Sequence, residues 1–369
     1  MRKARIVAPA HHEKAYYHCV SRIVNREFVL QEAEKEQFVK YMRMYESLYR
    51  LRVLSFCIMS NHFHILVEVP QAPEEGISDS KLISLVTNNL GEVEGRRLEW
   101  RINHYLKQNN IRALEELRAG WQKRMWSISQ YMKSVLGNFT QWFNKKHNRT
   151  GTLWEGRFKS TLVEGEGRAL KAMAAYIDLN PIRAKICDDP KDYRWCGYAE
   201  AVAGNKHARA CLRFLTTVSS HGGLKPEEYC PRTEKESLEM WRRVLYGLPE
   251  NEKHLEQWQE LQERAEERYE GTKYACTIDI TRATRKRLPR EKVLEVMARG
   301  GKLTTYETLS CRVKYFCDGT AIGAKGFVEE VFQGNREQFG KRRTEGAREI
   351  KEGHSPFHTL RELPEGVFT

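Results

Sequence analysis

The spacing of apolar and polar residues predicts strands and helices in a definite order near the start of the chain. Residues 15–22, AYYHCVSR, are rich in β-forming side chains. Residues 31–49 repeat apolar side chains at helical spacing, and residues 51–69 form a long β-rich stretch that breaks at Ser60–Asn61. A strand, a helix and two further strands are typical of an α+β domain with an antiparallel sheet.

The rest of the chain is predicted to be mostly helical. We expect one domain over residues 1–205, with a charged helical insertion near 95–125. Residues 206–270 follow as a helical connector, residues 271–352 as a helical accessory domain, and residues 353–369 as a loose tail.

The accessory domain allows two interpretations. Its later part, DGTAIGAKGFVEEVF, has a turn with Gly319 and Gly323 before an amphipathic helix, and the helix LPREKVLEVMAR begins earlier at Leu288. Two helices around a glycine turn resemble a helix-turn-helix DNA reader. The alternative is an ordinary helical domain.

Charge narrows the class of partner. The 369 residues carry 62 Lys and Arg against 49 Asp and Glu, a formal net charge of +13. This excess of positive charge indicates a polyanionic partner, either nucleic acid or an anionic membrane face. The alternative is a generally basic surface with no such partner. The connector differs, since residues 234–270 carry eleven acidic side chains against six basic ones. Two basic regions therefore flank an acidic one.

Other features of the composition favour the cytoplasm. No apolar run approaches the roughly 20 residues of a membrane-spanning helix, and the start of the chain lacks the apolar stretch of a secretory signal. The nine cysteines include no CxxC pair, which fits a reducing compartment. We therefore expect a cytoplasmic protein that does not contact membranes.

His62 and His64 are the first candidates for chemistry. Side chains alternate across a strand, so both imidazoles in NHFHILVEV share one face while Phe63 and Ile65 point to the other. Two neighbouring imidazoles can bind one divalent ion. The alternative is a pair of half-exposed histidines on a polar sheet face.

A tyrosine and an asparagine form the second candidate group. Tyr176 and Asn180 are four residues apart on a predicted helix that ends at Pro181, so they share a helix face. Beside a metal site, Asn180 would supply a third ligand and Tyr176 would attack phosphorus as a covalent nucleophile.

Tyr176 also has a simpler interpretation. It could fill the core between Met173 and Leu179, and Tyr193 and Tyr198 compete with it for the nucleophile role. Neither competitor has an asparagine one helical turn later, so we favour Tyr176.

Several basic side chains are candidates for contact with DNA. Arg157 and Lys159 lie close in sequence to Trp154 and Phe158, a mixture suited to holding a phosphate backbone and stacking bases, although the two aromatic rings could equally pack inside. Arg183 could bind phosphate or cap a helix end. The full set of candidates is Lys145, Lys146, Arg149, Arg157, Lys159 and Arg183.

Four motifs in sequence order resemble a known family. MSNHFHILVE, GTLWEGRFKS, AAYIDLNPIRA and DYRWCGYAE are similar to the successive motifs of the REP-associated tyrosine transposases, a branch of the IS200-like, single-tyrosine HUH transposases. The resemblance covers residues 10–205 and stops there. About 110 residues separate His64 from Tyr176, more than a compact domain of this kind needs.

The resemblance implies a fold and an activity. It implies a ferredoxin-like HUH nuclease domain in which His62, His64 and Asn180 bind Mg or Mn and Tyr176 is the nucleophile. Histidine ligands suit manganese better than magnesium. It also implies cleavage and rejoining of single-stranded DNA beside hairpins of palindromic repeats, through a 5′-phosphotyrosine intermediate.

The sequence also allows two other functions. One is a non-cleaving regulatory protein, derived from such a transposase, that binds structured DNA. The other is an HUH replication or relaxase enzyme, which the NPIRA and GTLWEGRFKS motifs disfavour. The sequence leaves monomer and homodimer open.

Overall fold

The computed structural model describes residues 5–166, 168–217, 233–246, 320–349 and 357–360. The first elements along the chain are β1 (Lys14–Arg22), α1 (Glu32–Leu48), β2 (Arg52–Ile58), β3 (His62–Pro70), α2 (Asp79–Leu90), α3 (Glu92–Lys107), α4 (Ile111–Gln122) and α5 (Ile128–Lys146). The later elements are β4 (Lys159–Val163), α6 (Arg168–Asp178), α7 (Asn180–Arg183), α8 (Gly197–Val202), α9 (Lys206–Thr217), α10 (Glu234–Tyr246), β5 (Ala321–Gly323), α11 (Lys325–Gly334), β6 (Arg348–Glu349) and β7 (His358–Thr359).

The first four strands form an antiparallel sheet in the order β2-β3-β1-β4. With α1 between β1 and β2, and helices between β3 and β4, this is the βαββαβ arrangement of a ferredoxin-like fold. The prediction of an α+β, ferredoxin-like domain is therefore confirmed. The described helices carry no segment long and apolar enough to cross a membrane.

Local sequence signals account for the ends of the helices beside the sheet. The backbone N–H of Gln31 donates to the Glu34 carboxylate at 3.1 Å, one half of a capping box that starts α1. The Ser127 hydroxyl accepts from the N–H of Gln130 and starts α5.

The sheet separates two apolar cores. On one face Phe63 and Ile65 are fully buried in a core that includes residues of α1 and α5, as the alternation in β3 predicts. On the other face Leu66 packs with residues of α6, α8, α9 and α10. Burial on both faces fixes the strand register, because a slip by one residue would turn every side chain to the wrong face.

Four helices connect β3 to β4, where a minimal ferredoxin-like domain has one. α3 and α4 occupy the region predicted as a helical insertion near 95–125. They are anchored rather than free, since Leu98, Ile102 and Leu114 are buried in the same core as α1. The predicted boundaries of this insertion stay predictions.

The start of the predicted connector packs on the domain itself. α9 contacts β2 and α8, and α10 contacts α9 and α6. The indole N–H of Trp241 in α10 donates to the Asp178 carboxylate of α6 at 2.9 Å, and Trp241 is fully buried. Residues 218–232 and 247–319 lie outside the described residues, so the domain boundaries at 205 and 270 stay predictions.

The C-terminal residues that are described extend the sheet. β5 pairs in parallel with β4, and β7 lies between β5 and β6. The expected loose tail over residues 353–369 is wrong for residues 357–360, because Phe357 and Leu360 are buried and β7 pairs on both sides. The remainder of that tail lies outside the described residues.

The glycine turn of the predicted helix-turn-helix is also not as expected. Gly323 lies inside β5, where an added Cβ would come within 2.6 Å of the Glu164 side chain. Close packing, rather than a turn, therefore accounts for this glycine. Gly319 and the helix beginning at Leu288 lie outside the described residues.

Asp178 leads to a prediction about stability. Burial raises the pKa of this carboxyl to about 7, against hydrogen bonds from Trp241 and Ser55 that favour the ionised form. Between pH 4 and 7 the folded chain therefore holds a proton that the unfolded chain releases, so this group makes stability fall as pH rises. Asp178→Asn should remove this pH dependence. As the pH rises through this window, the free energy of unfolding of the variant should therefore increase by about 1–3 kcal/mol relative to that of wild type.

Urea unfolding at pH 5 and pH 8 measures this difference. Asp188→Asn, at an exposed position, is the matched control and should show no such trend. A constant difference between Asp178→Asn and wild type at both pH values would contradict the assignment.

Candidate active site

Three strands place a row of polar side chains on the sheet face that α6 covers. In the β1–β3 pairing Arg22 lies opposite His62, and Val20 lies opposite His64. His18 is two residues from Val20 and so shares this face. Lys159 of β4 also lies opposite Val20. The β-sheet register alone therefore gathers the two predicted histidines with a third histidine and two cations.

The histidines are in mutual contact. The ring centroids of His62 and His64 are 5.1 Å apart with the planes nearly perpendicular. His18 stacks on His64 with centroids 5.1 Å apart, and its Nε2 lies 2.9 Å from His64 Nδ1. His64 is only 3% exposed, so a half-exposed polar face does not describe it.

Tyr176 lies against this cluster. Its ring meets His64 edge to face at 5.6 Å and His18 at 5.9 Å. On another side the guanidinium of Arg183 lies 4.4 Å from the ring centroid. Tyr176 is fully buried, and it shares its apolar cluster with Met173 and Leu179.

Asn180 begins the short α7, one turn after Tyr176, and its side chain points back along α6. The Nδ2 group donates to the carbonyl oxygens of Tyr176 and Ile177 at 3.1 and 3.2 Å. Because carbonyl oxygens only accept, the amide must present its NH₂ to them, and Oδ1 faces the other way. Asn180 therefore keeps its oxygen available for a ligand.

Electrostatics keep the histidines neutral. Burial, with the charges of Arg22 and Arg183 acting in the same direction, lowers the pKa of His62 to about 4. Burial also holds the pKa of His64 well below its usual range, with His62, His18 and Arg183 acting in the same direction. Neutral imidazole is the form that binds a metal ion.

The hydrogen bonds at Nδ1 also suit a metal site. His62 Nδ1 lies 2.6 Å from Asn61 Oδ1, an acceptor, so Nδ1 carries the proton and Nε2 keeps its lone pair. His64 likewise uses Nδ1 in a hydrogen bond, to His18. Metal-bound histidines characteristically have such a partner on the second nitrogen. The neutral imidazoles of His62 and His64 therefore suit a divalent ion, and the Asn180 oxygen is the candidate for a third ligand.

A second group of metal-type ligands lies elsewhere among the described residues. His11, His12 and Glu330 have ligand atoms within 4.8 Å of one another. Both imidazoles already contact the carboxylate, at 2.9 and 3.4 Å. Any measurement of metal binding by this chain must separate the two groups.

The basic candidates fall into different environments. Lys145, Arg157 and Lys159 are exposed. The ammonium of Lys146 lies 2.6 Å from the buried Glu34 carboxylate, which gives this residue a structural partner. The guanidinium of Arg149 lies 5.6 Å from the ring centroid of Phe143.

The aromatic rings of GTLWEGRFKS are mainly packing residues. Trp154 is buried, contacts Phe38, Phe63 and Phe139, and donates its N–H to the Thr140 hydroxyl at 3.0 Å. It is therefore not a surface for base stacking. Phe158 is partly buried beneath the guanidinium of Arg5, at 3.9 Å from its ring centroid.

The competing tyrosines also have structural roles. Tyr193 is buried and its hydroxyl donates to the carbonyl of Ile58 at 2.7 Å. Tyr198 is buried and bonded to Arg242. Within the described part of the chain, Tyr176 stacks edge to face on two histidines of the cluster, whereas the rings of Tyr193 and Tyr198 contact none of them.

Comparison with known proteins agrees with the sequence motifs. Residues 11–108 match the family model described as "Transposase IS200 like". Over these residues the chain is similar to the IS200-like transposases. The IS200-like segment runs from before β1 to the end of α3, so it contains His18, His62 and His64 and stops before Tyr176.

The resemblance stated from the motifs is thereby confirmed for the IS200-like segment. A solved structure described as "Structure of the REP associates tyrosine transposase bound to a REP hairpin" is 10% identical, with a TM-score of 0.36, and the alignment covers 63% of this chain and 99% of that chain. Comparison with curated proteins gives no match.

Two residues of the IS200-like segment were missed by sequence reasoning. His18 and Arg22 are four residues apart in AYYHCVSR, so the alternation of a strand places both side chains on the same face. Only the observed register shows that this is the face of His62 and His64.

The charge of Arg183 should have a measurable effect on the pKa of His62. Arg183→Met removes a cation that disfavours imidazolium, so the pKa of His62 should rise from about 4 toward 6.5, without reaching it because burial and Arg22 remain. NMR titration of metal-free protein with labelled histidines measures the change. Arg194→Met, which removes an exposed arginine paired with Glu36, should leave it unaltered. An unchanged titration in Arg183→Met would contradict the account.

Proposed function

We propose that this protein is a metal-dependent transposase and site-specific endonuclease. It cleaves and rejoins single-stranded DNA beside hairpin sequences, with Tyr176 as the covalent nucleophile. The IS200-like segment supports the class of enzyme, and the surroundings of Tyr176 support the mechanism.

The polar shell around Tyr176 carries this proposal. A tyrosine that only filled a core would need no imidazole or guanidinium neighbours. Here the ring contacts two histidines and an arginine. Burying such groups costs free energy that packing alone does not require. The presence of two imidazoles and a guanidinium around the Tyr176 phenol therefore favours a chemical role for this residue.

His62, His64 and Asn180 are the residues that would hold the divalent ion. What the ion supplies when bound is Lewis-acid polarisation of the phosphodiester. The chain contributes two neutral imidazoles that are each hydrogen-bonded through Nδ1, and an amide oxygen turned away from its own helix.

The covalent step exchanges one phosphoester bond for another. The phenolic oxygen of Tyr176 attacks phosphorus, an O–P bond forms, and the bond from phosphorus to the 3′ oxygen breaks. The phenol releases its proton and the 3′ oxygen takes one up, which leaves a 5′-phosphotyrosine and a free 3′-hydroxyl. The reverse reaction with another 3′-hydroxyl rejoins the strand.

Arg183 is suited to bind the phosphate. Its Nη1 is buried and has no hydrogen-bond partner within the part of the chain that the structure describes. A buried N–H that lacks an acceptor is costly, and a phosphate oxygen would satisfy it. The same guanidinium lies over the Tyr176 ring, so it would bring the phosphate to the nucleophile.

The burial of Tyr176 adds a requirement. The side chain is fully covered, so DNA has to displace a covering segment before the phenolic oxygen can reach phosphorus. This burial is also the observation that favours the alternative, a protein that binds structured DNA without cutting it. Cleavage assays distinguish the two functions directly.

Basic residues indicate where the DNA would run. Lys159, Val20 and His64 lie on one rung of the sheet, which puts the backbone of Lys159 roughly 10 Å from that of His64. Arg157 is exposed just before β4. Both are suited to contact the phosphate backbone near the site.

Replacement of the nucleophile tests the mechanism. Tyr176→Phe should abolish a denaturation-resistant adduct with a labelled hairpin oligonucleotide in Mn²⁺, because it removes only the attacking oxygen. Tyr198→Phe is the matched control and should keep the adduct. An undiminished adduct in Tyr176→Phe would show that another residue is the nucleophile.

Removal of metal should separate binding from cleavage. In EDTA the protein should still retard the hairpin in a gel but form no adduct, and Mn²⁺ should restore the adduct. His62→Leu should stay inactive after Mn²⁺ is added. Adduct formation in EDTA at the rate seen with Mn²⁺ would exclude a metal role.

The basic residues make a separate prediction. The double change Arg157→Gln, Lys159→Gln should weaken hairpin binding and reduce the slope of log affinity against log salt by about 1–2. The control is Arg97→Gln with Lys107→Gln, on α3. Equal slopes in all three proteins would show that the β4 residues do not contact phosphates.

A further inference from the structure

His18 is a buried histidine to which the proposed function gives no role. It is 1% exposed, on the central strand β1. Burying an imidazole is favourable only when its nitrogens are bonded. Its Nε2 lies 2.9 Å from His64 Nδ1, and its ring stacks on that of His64 at an interplanar angle of 15°.

The direction of this hydrogen bond decides what His64 can do. A neutral histidine carries one proton, on Nδ1 or on Nε2. If His18 donates, His64 carries its proton on Nε2 and cannot offer that nitrogen to a metal. If His64 donates from Nδ1, its Nε2 keeps a lone pair.

His62 shows the same arrangement with the direction fixed. Its Nδ1 partner is the Asn61 amide oxygen, which only accepts, at 2.6 Å. Both histidines of the pair therefore have a partner on Nδ1. The partner of His64 is another imidazole, which can accept only from its unprotonated nitrogen.

We propose that His18 is a positioning residue: it accepts the Nδ1 proton of His64 and so holds His64 in the tautomer whose Nε2 can bind a divalent metal. The inference rests on the proposed function, because it assigns His64 as a ligand. His18 itself is not a ligand through Nε2, since that nitrogen is occupied by the hydrogen bond.

The position of His18 suits this role. It lies on the same face as His64, diagonally across the β1–β3 ladder, so the backbone of two paired strands sets the distance. Its ring also meets Tyr176 at 5.9 Å. One side chain thus orients the ligand and packs against the nucleophile.

A pair of variants separates the hydrogen bond from packing. His18→Gln puts an amide oxygen close to the place of Nε2 and can still accept, whereas His18→Leu fills similar space without an acceptor. Partners of metal ligands typically contribute 10–100-fold to metal affinity. His18→Leu should weaken Mn²⁺ binding by about that factor, and His18→Gln should recover most of the loss.

Mn²⁺ titration of the full chain by calorimetry is the measurement. All proteins carry His11→Ala, His12→Ala and Glu330→Gln, so that the second ligand group does not contribute. His104→Leu, at a histidine stacked on Trp100 of α3, is the matched control and should bind like the parent. Equal affinity of the parent and a folded His18→Leu variant would overturn the proposal.

Histidine tautomers give a readout that does not depend on metal or activity. In ¹⁵N-histidine spectra of metal-free wild type, His64 should be protonated on Nδ1, and His18→Leu should lose that preference. Protonation of His64 on Nε2 in wild type would overturn the proposal. If His18→Leu does not fold, the wild-type tautomer and the affinity of His18→Gln decide the question.

The two hypotheses fail in different ways. If the parent protein binds no Mn²⁺, the metal-dependent function fails, while the tautomer of His64 still decides the role of His18. If the parent binds Mn²⁺ and forms the adduct but His64 is protonated on Nε2, only the role of His18 fails.

Discussion

The antiparallel pairing of β1 with β3 is the constraint on which the site depends. Its register sets Arg22 opposite His62 and Val20 opposite His64, and it brings His18 within hydrogen-bond distance of His64. A slip of one residue would turn the histidines into the core that holds Phe63 and Ile65. Since both faces of the sheet are buried, the two apolar cores hold the register. The energy that positions the polar cluster therefore comes from ordinary hydrophobic packing beside it.

Burial and nearby cations act together on this cluster. Low exposure and the charges of Arg22 and Arg183 keep His62 and His64 neutral, the state in which imidazole can bind a cation. The same positive surroundings favour an approaching phosphodiester. In the proposed function the neutral imidazoles would bind the metal ion, and the guanidinium of Arg183 would bind the phosphate.

The sequence was sufficient for the order of the first elements and for the polar faces of single elements. Alternation in NHFHILVEV predicts the shared face of His62 and His64, and helical spacing predicts the proximity of Tyr176 and Asn180. It could not give contacts that depend on pairing between distant strands, so His18 and Arg22 were missed. Trp154 shows the converse limit: a tryptophan among basic residues suits base stacking, yet tertiary packing buries it. Strand pairs as short as β5 and β7 carry almost no periodic signal.

The late strands show that the sheet that carries the candidate site depends on distant parts of the chain. β4, which carries Lys159, pairs with β1 on one side and with β5 on the other. The N-terminal segment is held by the same late region, because the Asn335 amide donates to the carbonyl of Val7 and accepts from its N–H. Residues from both ends of the chain thus complete one sheet. The rung that joins Lys159 to His64 is therefore supported by residues far beyond the family motifs, and the described strands β5 and β7 are part of the scaffold of the candidate site.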